Sequence, residues 1–551
     1  MARLLRQALT CSLLLVVTTT AFAADWSTWR HDANRSGTTE EALPGTLSLQ
    51  WSRTLPELQP AWPEDPRISF DVAYEPIVVG KTMIIGSSYN DSVTAYATET
   101  GKEKWRFHTD GPVRFAPVAI DGRLYFGSDD GFFYCVNALD GKSIWKFRAA
   151  PNDRRVIGNT RLISVWPMRG GPILVDGKLY FTFGVWPFEG TFLYTLDVAA
   201  SKTKPKYAVR TIDQLTPQGY LATGGGRLYI PCGRSVVGTL DLKTDKFLSI
   251  SYGTRGTTTT HVTAIDSWLF HGSVTYHFGQ KKQASIAAVQ PVFTKDTIYY
   301  GTKSGVFSND LVNTKIVDTK DRRGKIVKKA IQPERWRLSS AKLHGKAIPK
   351  KLADLSIRID VKADDRLFGH RGNQLFAINL PADHAAPTEA SWSATVDGDI
   401  SSLLVADGKL FAVTRKGGIH CFAVTKSEPI TNTVAVKPIA LQDDRWSTRA
   451  AAMLQQAGTK AGIAIVLGVG SGRLIDELVT QSQMHVIVIE ADRNKVNDLR
   501  DRYIAAGLYG TRLVALPGKP ATFALPSYLA NLIASEDITA AGFSQTALFA
   551  Q

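Results

Sequence analysis

The stretch PVAIDGRLYFGSDDGFFYCVNALDGKSIWKF, running from Pro117 to Phe147, decides the fold. It reads as strand VAI, turn DG, strand RLYFGS, turn DDG, strand FFYCVNA, turn LDGK and strand SIWKF. Asp-Gly between short apolar runs is the strongest local hairpin signal, because both residues accept the positive φ that tight turns demand. Four such antiparallel strands in succession make one blade of a β-propeller.

Working outward, the unit repeats across the first 425 residues. Upstream stand IVVGKTMIIGS and SVTAYATETGKEKWRF, between Pro76 and Phe107. Downstream come ILVDGKLYFTFG with TFLYTLDVAASK, then LATGGGRLYIPCG with VVGTLDLKTDKFL, VQPVFTKDTIYYGTKSGVF, and LVADGKLFAVTRKGGIHCFAV. Weaker copies occupy 261–278 and 357–392. The last copy lacks its Trp-bearing fourth strand, whereas LSLQWSRTL near the N-terminus is a fourth strand without a blade. Joining the two closes the ring and leaves no open sheet edge. The count is then eight blades, with seven as the alternative.

Two copies carry a shared signature: Tyr96 to Gly101 to Trp105, and Tyr134 to Gly141 to Trp145. The pattern resembles the PQQ-like propeller repeat. The opening Trp26-x-x-Trp29-Arg30 with Gly37 is also usual for exported members of that family. The resemblance covers about four-fifths of the chain and implies a fold more firmly than an activity. Quinoprotein dehydrogenases of this fold carry adjacent cysteines against the cofactor and hold Ca²⁺ through several oxygen ligands. This chain has no Cys-Cys pair and no recognisable carboxylate cluster, so neither PQQ nor a metal is expected.

After a linker at 426–438, periodicity changes. A helix from Arg445 precedes the strand at 463–467, the turn Gly468-Val-Gly470-Ser-Gly472, a second helix, and the strand at 485–489. A further helix and strands near 512–516 and 531–534 follow. Alternating strands and helices predict a parallel, doubly wound sheet. A glycine-rich turn opening a helix lets backbone approach a cofactor, and Glu490 ends the second strand where an acid accepts ribose hydroxyls. Arg473 stands where a dinucleotide fingerprint wants a small residue. The Gly-x-Gly-x-Gly spacing instead resembles a class I S-adenosylmethionine-dependent methyltransferase. By that resemblance Gly468, Gly470 and Gly472 would line the cofactor and Glu490 would hold its ribose. The resembled fold has seven strands and only four are readable here, so the segment at 439–551 is expected to be an incomplete Rossmann-like module. An open apolar edge near 529–534 and ready proteolysis follow from that expectation.

Composition sets the remaining bounds. Residues 1–24 combine Arg3 and Arg6, an apolar run from Ala8 to Val17, and Ala21-Phe22-Ala23, the order of a secretory signal peptide. A propeller at 25–425 in the periplasm or outside the cell is the result. Cys135, Cys232 and Cys421 are too scattered for a disulfide framework and read as free thiols. Of the net charge of +15, the segment from Lys315 to Lys351 supplies a net +10, with 13 Lys/Arg against three acids. Concentrated charge of this kind argues against nucleic acid over the whole surface and suits an anionic envelope polymer or lipid. Arg114, Arg161, Trp166 and Arg169 sit in loops at blade entries and are candidates for contacts on the propeller face. Together these features imply a non-catalytic envelope scaffold that binds a protein partner, similar in kind to the propeller lipoprotein of outer-membrane assembly. Methyl transfer and quinone-dependent dehydrogenation are the alternatives.

Overall fold

The computed structural model describes residues 24–543, apart from 213, 234–235, 249–259, 273, 279–281, 284–285, 287, 321–322 and 345–349. The expected signal peptide therefore lies, except for Ala24, outside the described residues. Among the described residues no helix is long and apolar enough to cross a membrane.

Eight four-stranded antiparallel blades form the ring, at 77–108, 118–148, 168–211, 222–248, 262–283, 292–339, 358–395 and 400–423. The eighth borrows its outer strand, Ser48–Thr54, from the N-terminal side, with Ser48 opposite Ala423 and Thr54 opposite Gly418. Ring closure thus occurs where the unpaired fourth strand implied it. The expected linker is not featureless: Ile430–Asn432 adds a parallel fifth strand beside Ser48–Thr54.

The Gly-x-x-x-Trp spacing has a packing cause. Trp51 of blade 8 lies under Gly101 of blade 1, and Trp105 of blade 1 lies under Gly141 of blade 2. A Cβ at Gly101 would come within 2.6 Å of the Trp51 ring, and one at Gly141 within 2.5 Å of the Trp105 ring. Both glycines also have positive φ, +68° and +71°, so the turn and the close approach select the same residue. The Trp51 indole N–H donates to Thr98 O at 2.7 Å, which satisfies its one polar atom in a 1%-exposed site.

The segment from Trp26 to Glu41 is a strap along the ring that touches every blade. Trp26 exchanges hydrogen bonds with Val78 of blade 1, and Ser27 O accepts from Ala119 N of blade 2. Arg35 donates to Pro172 O of blade 3, Ala33 O accepts from Thr223 N of blade 4, and Asn34 O from Ala264 N of blade 5. Ser36 O then accepts from Phe293 N, Gly37 O from Lys362 N, and the Glu41 carboxylate from Gly408 N, completing blades 6 to 8. Inner strands of a propeller leave edge groups facing the axis, and the strap satisfies them. Arg35 is its pin: fully buried, it donates to Leu221 O, Pro172 O, Trp29 O, Asp32 O and Thr28 Oγ1.

The C-terminal segment is a four-stranded parallel sheet. In chain order its strands are Ile463–Leu467, His485–Glu490, Leu513–Pro517 and Leu532–Ala534, and they lie side by side as third, second, first and fourth. Helices Arg445–Ala457, Arg473–Gln481 and Arg493–Ala505 all pack on one face, around Val466, Val488 and Ala515. The expectation of a doubly wound sheet is corrected here. The opposite face, with Ile465, Ile487, Ile489 and Val514, meets Leu162 and Ile157 of a propeller hairpin formed by Arg155–Gly158 and Arg161–Ser164. Phe523, Leu525 and Leu529 fold over the same face. The cover that further helices would supply to this face comes from the propeller and from the segment's own connection, while Leu532–Ala534 is an edge strand that among the described residues pairs only with Ile463–Leu467.

Candidate functional site

The glycine turn forms as the spacing predicts. Gly468, Gly470 and Gly472 have φ of +80°, +56° and +79°, and helix Arg473–Gln481 begins directly after them. Glu490 lies beside it, with one carboxylate oxygen accepting from Val469 N at 2.8 Å and the other from Asp492 N at 2.8 Å. All four predicted residues are brought together. A fifth residue that sequence reading missed changes what they can do. Glu536 accepts from Ser471 N at 2.6 Å, Ser471 Oγ at 3.0 Å and Leu474 N at 2.9 Å. Its carboxylate fills the helix N-terminus, where an incoming anion would otherwise bind. Glu536 follows the fourth strand, and strand ends of a parallel sheet converge on this crevice; that position was the available signal.

The four face candidates are internal. Arg114 is 7% exposed and bridges Asp71 (2.5 Å) and Asp129 (2.6 Å), while Arg169 also pairs with Asp129. Burial pushes Asp129 up, but the two guanidinium groups outweigh it and hold the carboxyl below its usual range. At Asp71 burial prevails over Arg114 and the carboxyl is raised. Trp166 is 3% exposed, its N–H donating to Glu189 O at 2.6 Å. Arg161 is paired with buried Asp91. A loop arginine surrounded by loop carboxylates is drawn inward, because a buried charge must be paired. Asp71, Arg114, Asp129 and Arg169 consequently tie neighbouring blades together, and none of the four candidates offers an exposed contact.

Arg161 belongs to the seam with the C-terminal segment. Asp91 also accepts from Tyr509 Oη at 3.1 Å, and Tyr89 Oη donates to Gly507 O at 2.9 Å. Nearby, Asp110 of the propeller receives Arg500 at 3.1 Å and Arg493 at 3.1 Å. Arg500 has no exposed side-chain surface and donates further to Ala515 O. Burial raises Asp110, yet Arg500 and Arg493 hold it below the ordinary carboxylate range.

Beside the strap, Arg30, Glu75, Gln290, Arg358, Asp360 and Ser402 line a cavity of about 30 Å³ together with Trp26 and Trp29. Arg358 donates to Gln290 Oε1 and Arg30 donates to Pro291 O at 2.6 Å. His370 Nε2 lies 3.3 Å from Asp360, but burial takes its pKa down to about 4, so the ring is neutral. Burial pushes Glu75 up to about 7. This space admits about one water, whereas ligand pockets run from roughly 300 Å³ upward. Among the described residues no group of three or more His, Cys, Asp or Glu is arranged to hold a metal. A cavity of this size does not admit a tricyclic quinone.

Residues 28–184 match the family model PQQ_2, described as outer membrane protein assembly factor BamB. A stretch of 112 residues is 30% identical to the tetrathionate hydrolase of Acidithiobacillus ferrooxidans, covering 20% of this chain and 19% of that protein. The chain thus spans about a fifth of the curated relative it matches. Among solved structures, BamB from Moraxella catarrhalis aligns at 12% identity, over 63% of this chain and 82% of that one, with a TM-score of 0.31. A quinohemoprotein alcohol dehydrogenase from Pseudomonas putida HK5 aligns at 12% identity over 78% and 85%, with a TM-score of 0.43. A europium-containing methanol dehydrogenase aligns at 11% over 73% and 98%, with a TM-score of 0.44. The chain carries an eight-bladed all-β propeller. Its repeats are of the PQQ-like, BamB-like kind.

Proposed function

We propose that the protein is an exported, non-catalytic scaffold of the cell envelope whose propeller binds a protein partner. The α/β segment is a fixed part of that scaffold. The observation that carries this reading is the strap: it engages all eight blades and leaves beside it a cavity of only about 30 Å³. The match to the BamB family model supports a binding role for the propeller. The Glu536 carboxylate on the glycine turn speaks against S-adenosylmethionine there.

Purified protein mixed with the quinone and Ca²⁺ is expected to show no dye-linked alcohol oxidation; calcium-dependent turnover would overturn the scaffold reading. Titration calorimetry with S-adenosylmethionine is expected to give no heat, and micromolar binding abolished by Glu490→Ala would count equally against it. Export is tested separately by N-terminal sequencing from an envelope fraction, where the mature chain should begin at Ala24 or Asp25.

A further inference from the structure

Between the third and fourth strands of blade 6 the chain makes an excursion. Lys315–Lys320 and Ile326–Ile331 pair as a two-stranded sheet of their own, with Lys320 opposite Ile326 and Asp318 opposite Lys328. The blade does not need this hairpin, since Gly305–Asp310 pairs directly with Glu334–Ser339. Its root is anchored by Ala330, buried among Phe293, Ile298 and Leu311. Its far end is exposed: Lys320, Arg323, Lys325, Lys328 and Lys329 face solvent, and Ile326 is 64% exposed. From Lys315 to Ile331 the sequence holds seven Lys/Arg against two Asp.

The hairpin's position follows from the topology. In an up-and-down blade the first and third turns lie on one face of the ring, and the second turn and the blade-to-blade connections lie on the other. The hairpin extends a third turn. On that same face the chain enters the propeller: the Asp25 carboxylate accepts from Gly80 N, in the first turn of blade 1, at 2.7 Å. The α/β segment sits on the opposite face, where it holds Asp91 of a second turn and Asp110 of a blade-to-blade connection.

We propose that the basic hairpin docks the propeller onto an anionic lipid bilayer, with Ile326 entering the headgroup boundary between Lys320 and Lys328. The proposal deepens the envelope reading and rests on it. Basic residues around an exposed apolar tip are the combination that a charged bilayer surface rewards, since it offers phosphates outside and hydrocarbon beneath. A soluble polyanion answers the charge but has no place for the isoleucine.

The test is flotation of the full chain with vesicles of phosphatidylcholine alone and of phosphatidylcholine mixed with phosphatidylglycerol. Binding is expected to the mixed vesicles only, and to weaken as salt shortens the screening length. Each basic residue held at such a surface is worth on the order of fivefold in affinity, so Lys320→Gln/Lys325→Gln/Lys328→Gln should lose about a hundredfold. Ile326→Ser should lose about tenfold, with an unchanged circular dichroism spectrum, because an apolar side chain no longer leaves water. Equal binding to both vesicles, an undiminished triple variant, or an undiminished Ile326→Ser would each overturn the proposal. So would retention on heparin without vesicle binding. Since the mature N-terminus reports location independently, loss of lipid binding from a protein still found in the envelope sinks this proposal alone.

Discussion

Replacing Asp110 by Ala should release the α/β segment from the propeller. Among the described residues Asp110 is the one carboxylate that pairs with both Arg500 and Arg493, and Arg500 is completely buried. Removing one member of a buried ion pair typically costs about 3–5 kcal/mol, because the remaining charge is stranded away from water. Arg500 keeps its hydrogen bonds to Ala515 O, which places the loss at the lower end. About 3 kcal/mol corresponds to roughly a hundredfold in the opening equilibrium of the seam. When opening and closing are fast, cleavage rates follow that equilibrium. Limited proteolysis should therefore cut Asp110→Ala between 433 and 444 about a hundredfold faster than the parent chain, leaving the propeller intact. Arg493→Ala is the internal control: its side chain is 48% exposed, so it should accelerate cleavage only about fivefold. Equal cleavage of the parent and Asp110→Ala would show that the seam does not depend on this pair.

Three other outcomes follow. Trp51→Ala, in the strand that closes the ring, should lower stability by about 3–5 kcal/mol, visible in calorimetry as an earlier transition. Glu75 has a folded pKa of about 7, above its unfolded value, so the unfolded chain holds fewer protons through that interval. Stability should then fall as pH rises from about 4.5 to 7, by roughly 3 kcal/mol at most; Glu75→Gln should flatten the profile of melting temperature against pH, and an unchanged profile would contradict the assignment. Burial raises Cys135 to about 12 and Cys421 further still, so a thiol reagent at pH 8 should label neither before denaturation.

The repeat was legible from the sequence because its signals are local. Asp121-Gly122 and Asp140-Gly141 specify turns, alternation specifies strands, and the stray strand at Ser48–Thr54 specifies where the ring closes. The glycine turn at 468–472 was legible for the same reason, since three positive-φ positions precede a helix. The failures all concern groups far apart in the chain. Arg114, Arg161 and Arg169 read as exposed loop residues, because nothing near them in sequence reveals that Asp71, Asp91 and Asp129 converge on them. Glu536 stands 65 residues after Ser471, and only the parallel sheet brings the two ends together. Nor does the local sequence show that Leu162, some 300 residues earlier, covers the sheet face opposite the helices. Local turn and strand chemistry set the blades, because those preferences act within a few bonds, while the pairing of the tertiary structure settled eight over seven. Which charges are buried, which cradle is already filled and which face is covered were decided only by tertiary structure. Pairing and desolvation act through space, and the order of the chain does not record them.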